Sequence, residues 1–384
     1  MHRRGHQRGF YAAVVIRMIA KDQKLKRILL WLPARIYELG VRLRVAAYET
    51  EYLKQKRVGP IVISIGNITL GGVGKTPLVE FIARYLKAEG HELAILTRGY
   101  GRSSRGMRVL NNPREDRSAT QTSHRELGDE PLMLARALPD VPVIVNSDRF
   151  ESARWAEREL NADVLILDDG FQHLGLGRDL NLLLIDATDP FGGFEMVPFG
   201  RLREPLYGIK RADAVIVTRA DRPFDQAQTN AIIKHFCGGQ VPVMYVYSAI
   251  SGLRHLASGE VYEARELAGW NTALMCAIGN PHAFADDILQ AGMNIVSESF
   301  FRDHHAFTQQ DFDQVLKAAR DLGANAIVTT EKDAVRLEGI EVGDFPIYAA
   351  QLKIESEEEV RLKSLLLRMI SEAERKKQLA GQPR

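Results

Sequence analysis

Short apolar runs of strand length alternate, between about residues 60 and 235, with segments whose apolar residues recur at helical spacing. This alternation predicts a mostly parallel β-sheet with helices on both faces, in which ligands gather at the carboxyl ends of the strands. The predicted strands are 61–66, 92–97, 143–145, 164–167, 182–185 and 214–218, and the predicted helices are 75–88, 130–138 and 148–160.

The same alternation starts again after about residue 235 and predicts a second, smaller α/β domain. A last long helix over 356–376 can pack onto either domain. We therefore divide the chain into a basic N-terminal extension with an amphipathic helix at 1–57, a core at 58–235 and a C-terminal domain at 236–384. In the C-terminal domain the predicted strands are 243–247, 273–278 and 326–329, and the predicted helices are 281–291 and 308–322.

The N-terminal extension is strongly basic, with 14 Lys or Arg residues against four acids, while the rest of the chain carries a net charge of −8. Between residues 28 and 45 an apolar stripe that includes Trp31 and Tyr37 follows roughly helical spacing. This pattern favours a helix that lies on an anionic membrane surface. The alternative is a helix that packs on the core and has a solvated basic face. We expect no membrane-spanning helix, because no apolar run reaches about 18 residues.

Composition excludes some classes of protein. Two cysteines in 384 residues are too few for a disulfide framework or a zinc site, and they fit a reducing compartment. Hydrophobic residues make up 45% and charged residues 26%, as in ordinary globular proteins. No nucleic-acid-binding motif accompanies the basic extension, so we predict no nucleic-acid partner.

The most informative motif joins the first predicted strand to the first predicted helix of the core through a glycine-rich turn and Gly-Lys-Thr. This order is typical of a phosphate-binding loop, in which backbone N–H groups and a lysine hold the phosphates of ATP and a hydroxyl holds Mg²⁺. Thr69 departs from the common pattern, which has a glycine at that position. The candidate nucleotide-binding residues are Gly71, Gly72, Val73, Gly74, Lys75 and Thr76, of which Thr76 is the candidate Mg²⁺ ligand.

Acidic residues at the ends of predicted strands and helices are candidates for metal binding and for general-base catalysis. Asp168 and Asp169 close the strand at 164–167, where nucleotide hydrolases place the acid that holds Mg²⁺. Alternatively, the pair caps a turn. Asp129 precedes a predicted helix and is either an N-cap or a carboxylate that accepts the proton of an attacking hydroxyl.

Two further segments carry less specific signals. Arg203 is a candidate phosphate clamp and Glu204 a candidate member of the metal shell, with a solvated surface pair as the alternative. In Asp303-His304-His305, one histidine can orient Asp129, although a lone histidine is more often structural.

Taken together, these motifs resemble the tetraacyldisaccharide 4′-kinase family over nearly the whole chain from about residue 25. The resemblance implies a P-loop NTPase-like three-layer α/β/α core, a smaller C-terminal α/β domain and an active site between them. It also implies Mg²⁺-dependent transfer of phosphate from ATP to a tetraacylated disaccharide 1-phosphate, a precursor of lipid A. The matching segments are 66–77 (GNITLGGVGKTP), 97–101 (TRGYG), 128–131 (GDEP), 168–173 (DDGFQH), 201–205 (RLREP), 303–305 (DHH) and 329–334 (TTEKDA).

The family pattern also implies roles and a location. Lys75 and Thr76 match the phosphate loop, Asp129 matches the proposed base, and His304 matches the assisting histidine better than His305 does. Asp168, Asp169, Arg203 and Glu204 match positions around metal and phosphate. The N-terminal helix implies a peripheral, monotopic protein at the cytoplasmic face of the bacterial inner membrane, with a lipid substrate and an unassigned oligomeric state. Residues 1–24 precede the usual start of the family.

Two other classes of function compete with this hypothesis. A partitioning-type or metallochaperone-type ATPase uses a similar Gly-Gly-x-Gly-Lys-Thr loop, but it often carries an additional lysine early in that loop, which is absent from 67–70. A membrane-binding adaptor with a disused nucleotide site is the third possibility. Intact Lys75, Thr76 and Asp168 argue against disuse.

Overall fold

The computed structural model describes residues 29–114, 124–239, 241–303 and 305–379, which form two β-sheets. The larger sheet contains β1 (Ile61–Asn67), β2 (Leu93–Thr97), β3 (Arg108–Leu110), β4 (Val143–Val145), β5 (Val164–Asp168), β6 (Leu180–Asp186), β7 (Ala214–Thr218) and β8 (Val243–Tyr245). Their order is β3-β4-β2-β5-β1-β6-β7-β8, and every neighbouring pair is parallel except β3 with β4. The predicted mostly parallel sheet is therefore confirmed.

Helices cover both faces of this sheet, because successive side chains of its central strands point to opposite sides and are apolar on both. Ile63 of β1 packs in a core with Leu78 and Ile82, whereas Val62 packs in another core with Ala153 and Ala156. The three-layer architecture is thus as predicted. The helices in this part are α1 (29–49), α2 (Lys75–Ala88), α3 (His124–Leu127), α4 (Asp129–Ala137), α5 (Arg149–Leu160) and α6 (Gln226–Cys237).

The smaller sheet is mixed. It contains β9 (Tyr247–His255), β10 (Val261–Glu263), β11 (Asn271–Cys276), β12 (Asn294–Phe300), β13 (Ala326–Thr330) and β14 (Ile347–Glu355), in the order β10-β9-β14-β13-β11-β12. Strand β9 runs antiparallel to both β10 and β14, and the other pairs are parallel. The helices that follow in the chain are α7 (Pro281–Gln290), α8 (Gln309–Asp321), α9 (Glu331–Arg336) and α10 (Glu359–Leu379).

Two elements that the predicted boundary at residue 235 assigns to the C-terminal domain lie with the larger sheet. Strand β8 pairs with β7, and the apolar face of α10 joins the core that contains β1. The Lys377 ammonium lies 2.9 Å from Asp179 Oδ2 and donates to the carbonyl groups of residues 58–60, just before β1. The chain therefore returns to the larger sheet after completing the smaller one.

Gly66 near the end of β1 permits a close approach that the site depends on. A Cβ at Gly66 would lie 2.7 Å from the backbone nitrogen of Phe171, which is fully buried. We expect Gly66→Ala to lower the free energy of unfolding by about 1–3 kcal/mol, because this contact leaves no room for a methyl group. Urea denaturation followed by circular dichroism measures this change.

Gly40→Ala is the matched control, because a Cβ there meets no atom within 4 Å and Gly40 lies inside α1. Alanine at that position is expected to leave stability unchanged or to raise it by about 0.5–1 kcal/mol. Equal stability of the Gly66→Ala variant and the parent protein would contradict the prediction.

Candidate active site

The turn between β1 and α2 has the geometry of a phosphate cradle. Gly71 and Gly74 adopt left-handed backbone conformations with φ of 112° and 78°, which glycine reaches without steric cost. A Cβ at Gly72 would meet no atom within 4 Å, so the turn is open at that point. Since α2 begins at Lys75, its N-terminal amides add positive potential beside the opening.

Hydrogen bonds to its carbonyl groups hold this turn in place. The Thr218 hydroxyl donates to Val73 O at 2.9 Å, Arg219 donates to Gly72 O at 2.9 Å, and Arg201 donates to Leu70 O at 2.8 Å. Thr69, which stands where the common motif has glycine, forms a short antiparallel bridge with Leu202. That extended pairing does not require glycine, which explains the departure from the motif.

Lys75 and Arg203 converge on Asp169. The Lys75 ammonium donates to Asn67 Oδ1 at 3.1 Å and lies 3.4 Å from Asp169 Oδ1, while Arg203 Nη1 lies 2.8 and 2.9 Å from the two oxygens of Asp169. Burial raises the pKa of Asp169, but the charges of Lys75 and Arg203 outweigh it and lower that pKa below its ordinary value. Asp169 is thus an ionised carboxylate shared by two cations.

Asp168 lies in a different environment although it is the adjacent residue. Its side chain is buried and accepts a hydrogen bond of 3.2 Å from Thr97 Oγ1. Burial, with the charges of Glu130 and Asp169, raises the pKa of Asp168 to about 7. A cation bound beside it would favour its ionised form.

The candidate metal ligands fit Mg²⁺ chemically. Thr76, Asp168 and Asp169 offer only oxygen atoms, which Mg²⁺ prefers. Among the described residues, no group of three or more His, Cys, Asp or Glu side chains is arranged to hold a metal ion. Mg²⁺ usually takes one or two carboxylates and completes its shell with substrate phosphates and water.

Glu204 is buried, and protein donors engage both of its oxygens. Gln172 Nε2 donates to Glu204 Oε1 at 2.7 Å and also to Asn67 O at 2.8 Å, and Arg211 Nη2 donates to Glu204 Oε2 at 2.5 Å. The alternative of a solvated surface pair is therefore wrong for Glu204. Its predicted role in the metal shell stays a prediction.

Asp129 is the first residue of α4, and Gly128 occupies the N-cap position with φ of 92°. The interpretation of Asp129 as an N-cap is therefore wrong. Instead, Asp129 Oδ2 accepts hydrogen bonds of 2.8 Å from Arg336 Nε and 2.5 Å from Arg336 Nη2, across 207 residues of sequence. Arg336 therefore fixes a carboxylate that remains partly exposed.

The structure describes only one of the two adjacent histidines, His305. His304 lies outside the described residues, so its predicted role stays a prediction. The His305 ring stacks on Phe301 with centroids 4.9 Å apart, and its Nε2 lies 3.0 Å from Asp311 Oδ2. These contacts give His305 a local structural role, which favours the structural alternative for that residue.

Sequence reasoning missed two buried arginines, Arg149 and Arg336. Arg149 follows β4, and its Nη1 donates to Asn146 O at 3.1 Å. Burial lowers the pKa of Arg149 to about 10, against the opposing charges of Asp168 and Asp169. The rule that ligand-binding residues follow parallel strands would have selected Arg149, whereas Arg336 lies two residues beyond the recognised 329–334 segment.

Helix α1 is attached to the segment that carries Arg203. The Tyr37 hydroxyl donates to Arg203 O at 2.9 Å, Arg35 pairs with Glu195, and the Arg42 guanidinium lies 5.6 Å from the Tyr207 ring centroid. Within the described part of the chain, no helix has the length and apolar character needed to cross a membrane. The exposed apolar side chains of α1 are Leu29, Leu30, Trp31, Leu32, Ile36, Tyr37, Leu39 and Leu43.

Comparisons with known proteins identify the family. The family model for tetraacyldisaccharide-1-P 4′-kinase (LpxK) matches residues 26–371. The tetraacyldisaccharide 4′-kinase of Geobacter metallireducens is 37% identical over 83% of this chain and 90% of its own, and that of Geobacter sulfurreducens is 36% identical over 86% and 90%.

A solved structure gives the same result. The crystal structure of LpxK from Aquifex aeolicus in complex with ATP has a TM-score of 0.67 and 29% identity to this chain, and the match covers 88% of this chain and 98% of that one. Both the family model and the curated relatives span most of the chain. The chain therefore belongs to the tetraacyldisaccharide-1-P 4′-kinase family.

Proposed function

We propose that this protein transfers the γ-phosphate of ATP to the 4′-hydroxyl of a tetraacyldisaccharide 1-phosphate, a step in lipid A biosynthesis. The observation that carries the proposal is family membership over 26–371 together with an intact phosphate loop inside the matched region. The ATP complex of the Aquifex aeolicus relative supports the choice of ATP.

The nucleotide binds at the carboxyl edge of the larger sheet in this proposal. The amides of 71–76 and the Lys75 ammonium hold the phosphates, and Arg203 lies close enough to share them, because both cations already meet at Asp169. Thr76, Asp168 and Asp169 would hold Mg²⁺, with Glu204 as a further candidate. When bound, Mg²⁺ neutralises the charge that develops on the transferred phosphoryl group.

Asp129 is the general base in this proposal. The acceptor hydroxyl oxygen forms a bond to the γ-phosphorus, the bond from that phosphorus to the β,γ-bridging oxygen breaks, and Asp129 takes the hydroxyl proton. ADP leaves with the bridging oxygen. The partly exposed carboxylate of Asp129 suits this role, since it is held by Arg336 yet reachable from solvent.

The acceptor is lipid, and α1 is the element that suits a lipid surface. Trp31 is 50% exposed and Ile36 64% exposed, on a helix attached through Tyr37 to the Arg203 segment. We propose that this apolar face inserts shallowly at the cytoplasmic face of the inner membrane. Arg35 and Arg42 are paired with Glu38, so the apolar side chains contribute more to this contact than these two charges do.

The direct test is to incubate the purified protein with γ-labelled ATP, Mg²⁺ and tetraacyldisaccharide 1-phosphate in mixed micelles. Label on the lipid supports the kinase, label released only as inorganic phosphate supports the partitioning-type ATPase, and no turnover supports the adaptor. Lys75→Ala should abolish transfer in the first case, because it removes the ammonium group that holds the terminal phosphates.

We expect Asp129→Ala to reduce kcat about 10²–10⁴-fold, which is the usual contribution of a general base. Initial rates of lipid phosphorylation at saturating ATP measure this effect. Asp313→Ala on the exposed face of α8 is the control and should retain the parent rate. A near-normal kcat for Asp129→Ala would remove Asp129 from the role.

We expect the triple variant Leu32→Ser, Ile36→Ser, Leu39→Ser to lose at least about tenfold in binding to anionic vesicles, because each apolar side chain contributes about 1.5 kcal/mol or more when buried. Co-sedimentation with phosphatidylglycerol vesicles measures the binding. The control replaces Leu322, which follows α8, and Val360 of α10 by serine, because both side chains are more than half exposed but lie away from α1.

Unchanged vesicle binding by the triple variant would contradict the docking of α1 on lipid. A concentration-dependent dimer that the same substitutions abolish, without vesicle binding by the parent, would assign the apolar face to a second copy of the chain.

A further inference from the structure

The recognised segment 329–334 leads into α9, and its function is not explained by the phosphate loop or the metal ligands. This short helix belongs to the smaller sheet's half of the chain, yet it packs against α4, which begins with Asp129. The inference drawn from this contact rests on the proposed function, in which Asp129 is the base.

Arg336, the last residue of α9, is held rigidly on its own side of this contact. Its Nη1 donates to Ala277 O at 3.1 Å and to Asp333 Oδ1 at 2.9 Å. Asp333 is fully buried and in turn accepts from Ala277 N at 3.0 Å and from the Thr330 hydroxyl at 2.8 Å. The guanidinium therefore has a fixed orientation before it meets Asp129.

The remaining donors of Arg336 point across the contact. Nε and Nη2 both donate to Asp129 Oδ2, at 2.8 and 2.5 Å. Charge-assisted bonds of this kind are strong and directional, and the Arg336 side chain is only 4% exposed. The carboxylate of Asp129 is thus oriented by a residue 207 positions away in the sequence.

We propose that Arg336 is the positioning residue of the catalytic base. Its two hydrogen bonds to Oδ2 hold the carboxylate of Asp129 and so set the direction in which that carboxylate meets the acceptor hydroxyl. Arg336 is held by hydrogen bonds to Ala277 and Asp333, which lie in the part of the chain that forms the smaller sheet. Asp129 therefore takes its working orientation only when α9 is packed against α4. Arg336 does not touch ATP or the hydroxyl in this proposal.

The test compares Arg336→Ala, Arg336→Lys and Asp129→Asn, singly and combined, in the lipid phosphorylation assay with the full chain. We expect Arg336→Ala to lower kcat about 10–100-fold, as for a misplaced catalytic group, while KM for ATP changes less than about twofold. Arg336→Lys, which keeps the charge, should recover part of the loss. On the Asp129→Asn background, Arg336→Ala should cause no further loss, because both changes remove one function.

Glu338→Gln is the matched control, because Glu338, two residues beyond α9, pairs with Arg136 of α4. It should retain the parent kcat. If Arg336→Ala does not fold, Arg336→Lys replaces it in the test. Arg336→Lys should then lower kcat in the parent protein and cause no further loss of kcat on the Asp129→Asn background.

Normal kcat in both Arg336 variants, or losses that multiply with that of Asp129→Asn, would overturn the inference alone. A fully active Asp129→Asn protein would overturn both the base and its positioning residue. A parent protein that labels no lipid would overturn the proposed function and the inference with it.

Discussion

Parallel pairing of β1 with β5 is the constraint on which the site depends. Their register sets Ile65 beside Asp168, so the strand that leads into the phosphate loop ends beside the strand that leads into the acidic turn. A slip of one residue would turn Asp168 to the opposite face of the sheet. The apolar side chains that fix the register, such as Ile63 on one face and Val62 on the other, therefore also fix the distance from Lys75 to Asp169.

The charges at this edge explain why nucleotide and cation are expected to bind together. Asp169 forms ion pairs with two cations, Lys75 and Arg203. Asp168, in contrast, is buried and lies near the negative charges of Glu130 and Asp169. Phosphates that draw Lys75 and Arg203 away from Asp169 leave two adjacent acids in a buried setting, and a divalent cation offsets that cost. Thr76, the second residue of α2, is the proposed hydroxyl ligand of that cation.

Much of this arrangement follows from local pattern. Apolar runs predict the strands of the larger sheet, and glycines predict the loop at 71–76. Both predictions succeed because nearby residues decide the backbone conformation there. The pairing of β8 with the larger sheet and the packing of α10 against it could not be predicted. Hydrophobic periodicity indicates the type of an element but not the sheet that it joins or packs on. Arg336 was missed for the same reason, because only the fold brings it to Asp129. The burial of Glu204 was also hidden, because its partner Arg211 looks like an ordinary surface charge in the sequence.

The larger sheet, α1 and α9 each contribute a different kind of group to the candidate active site. The larger sheet supplies the phosphate loop, α1 supplies an exposed apolar face beside the Arg203 segment, and α9 supplies the arginine that holds Asp129. An acceptor with acyl chains and a sugar head needs all three, because its chains favour an apolar surface while its hydroxyl must reach the γ-phosphate in line. The hydrogen bond from the Tyr37 hydroxyl to Arg203 O thus attaches the exposed apolar face of α1 to the segment at the phosphate site.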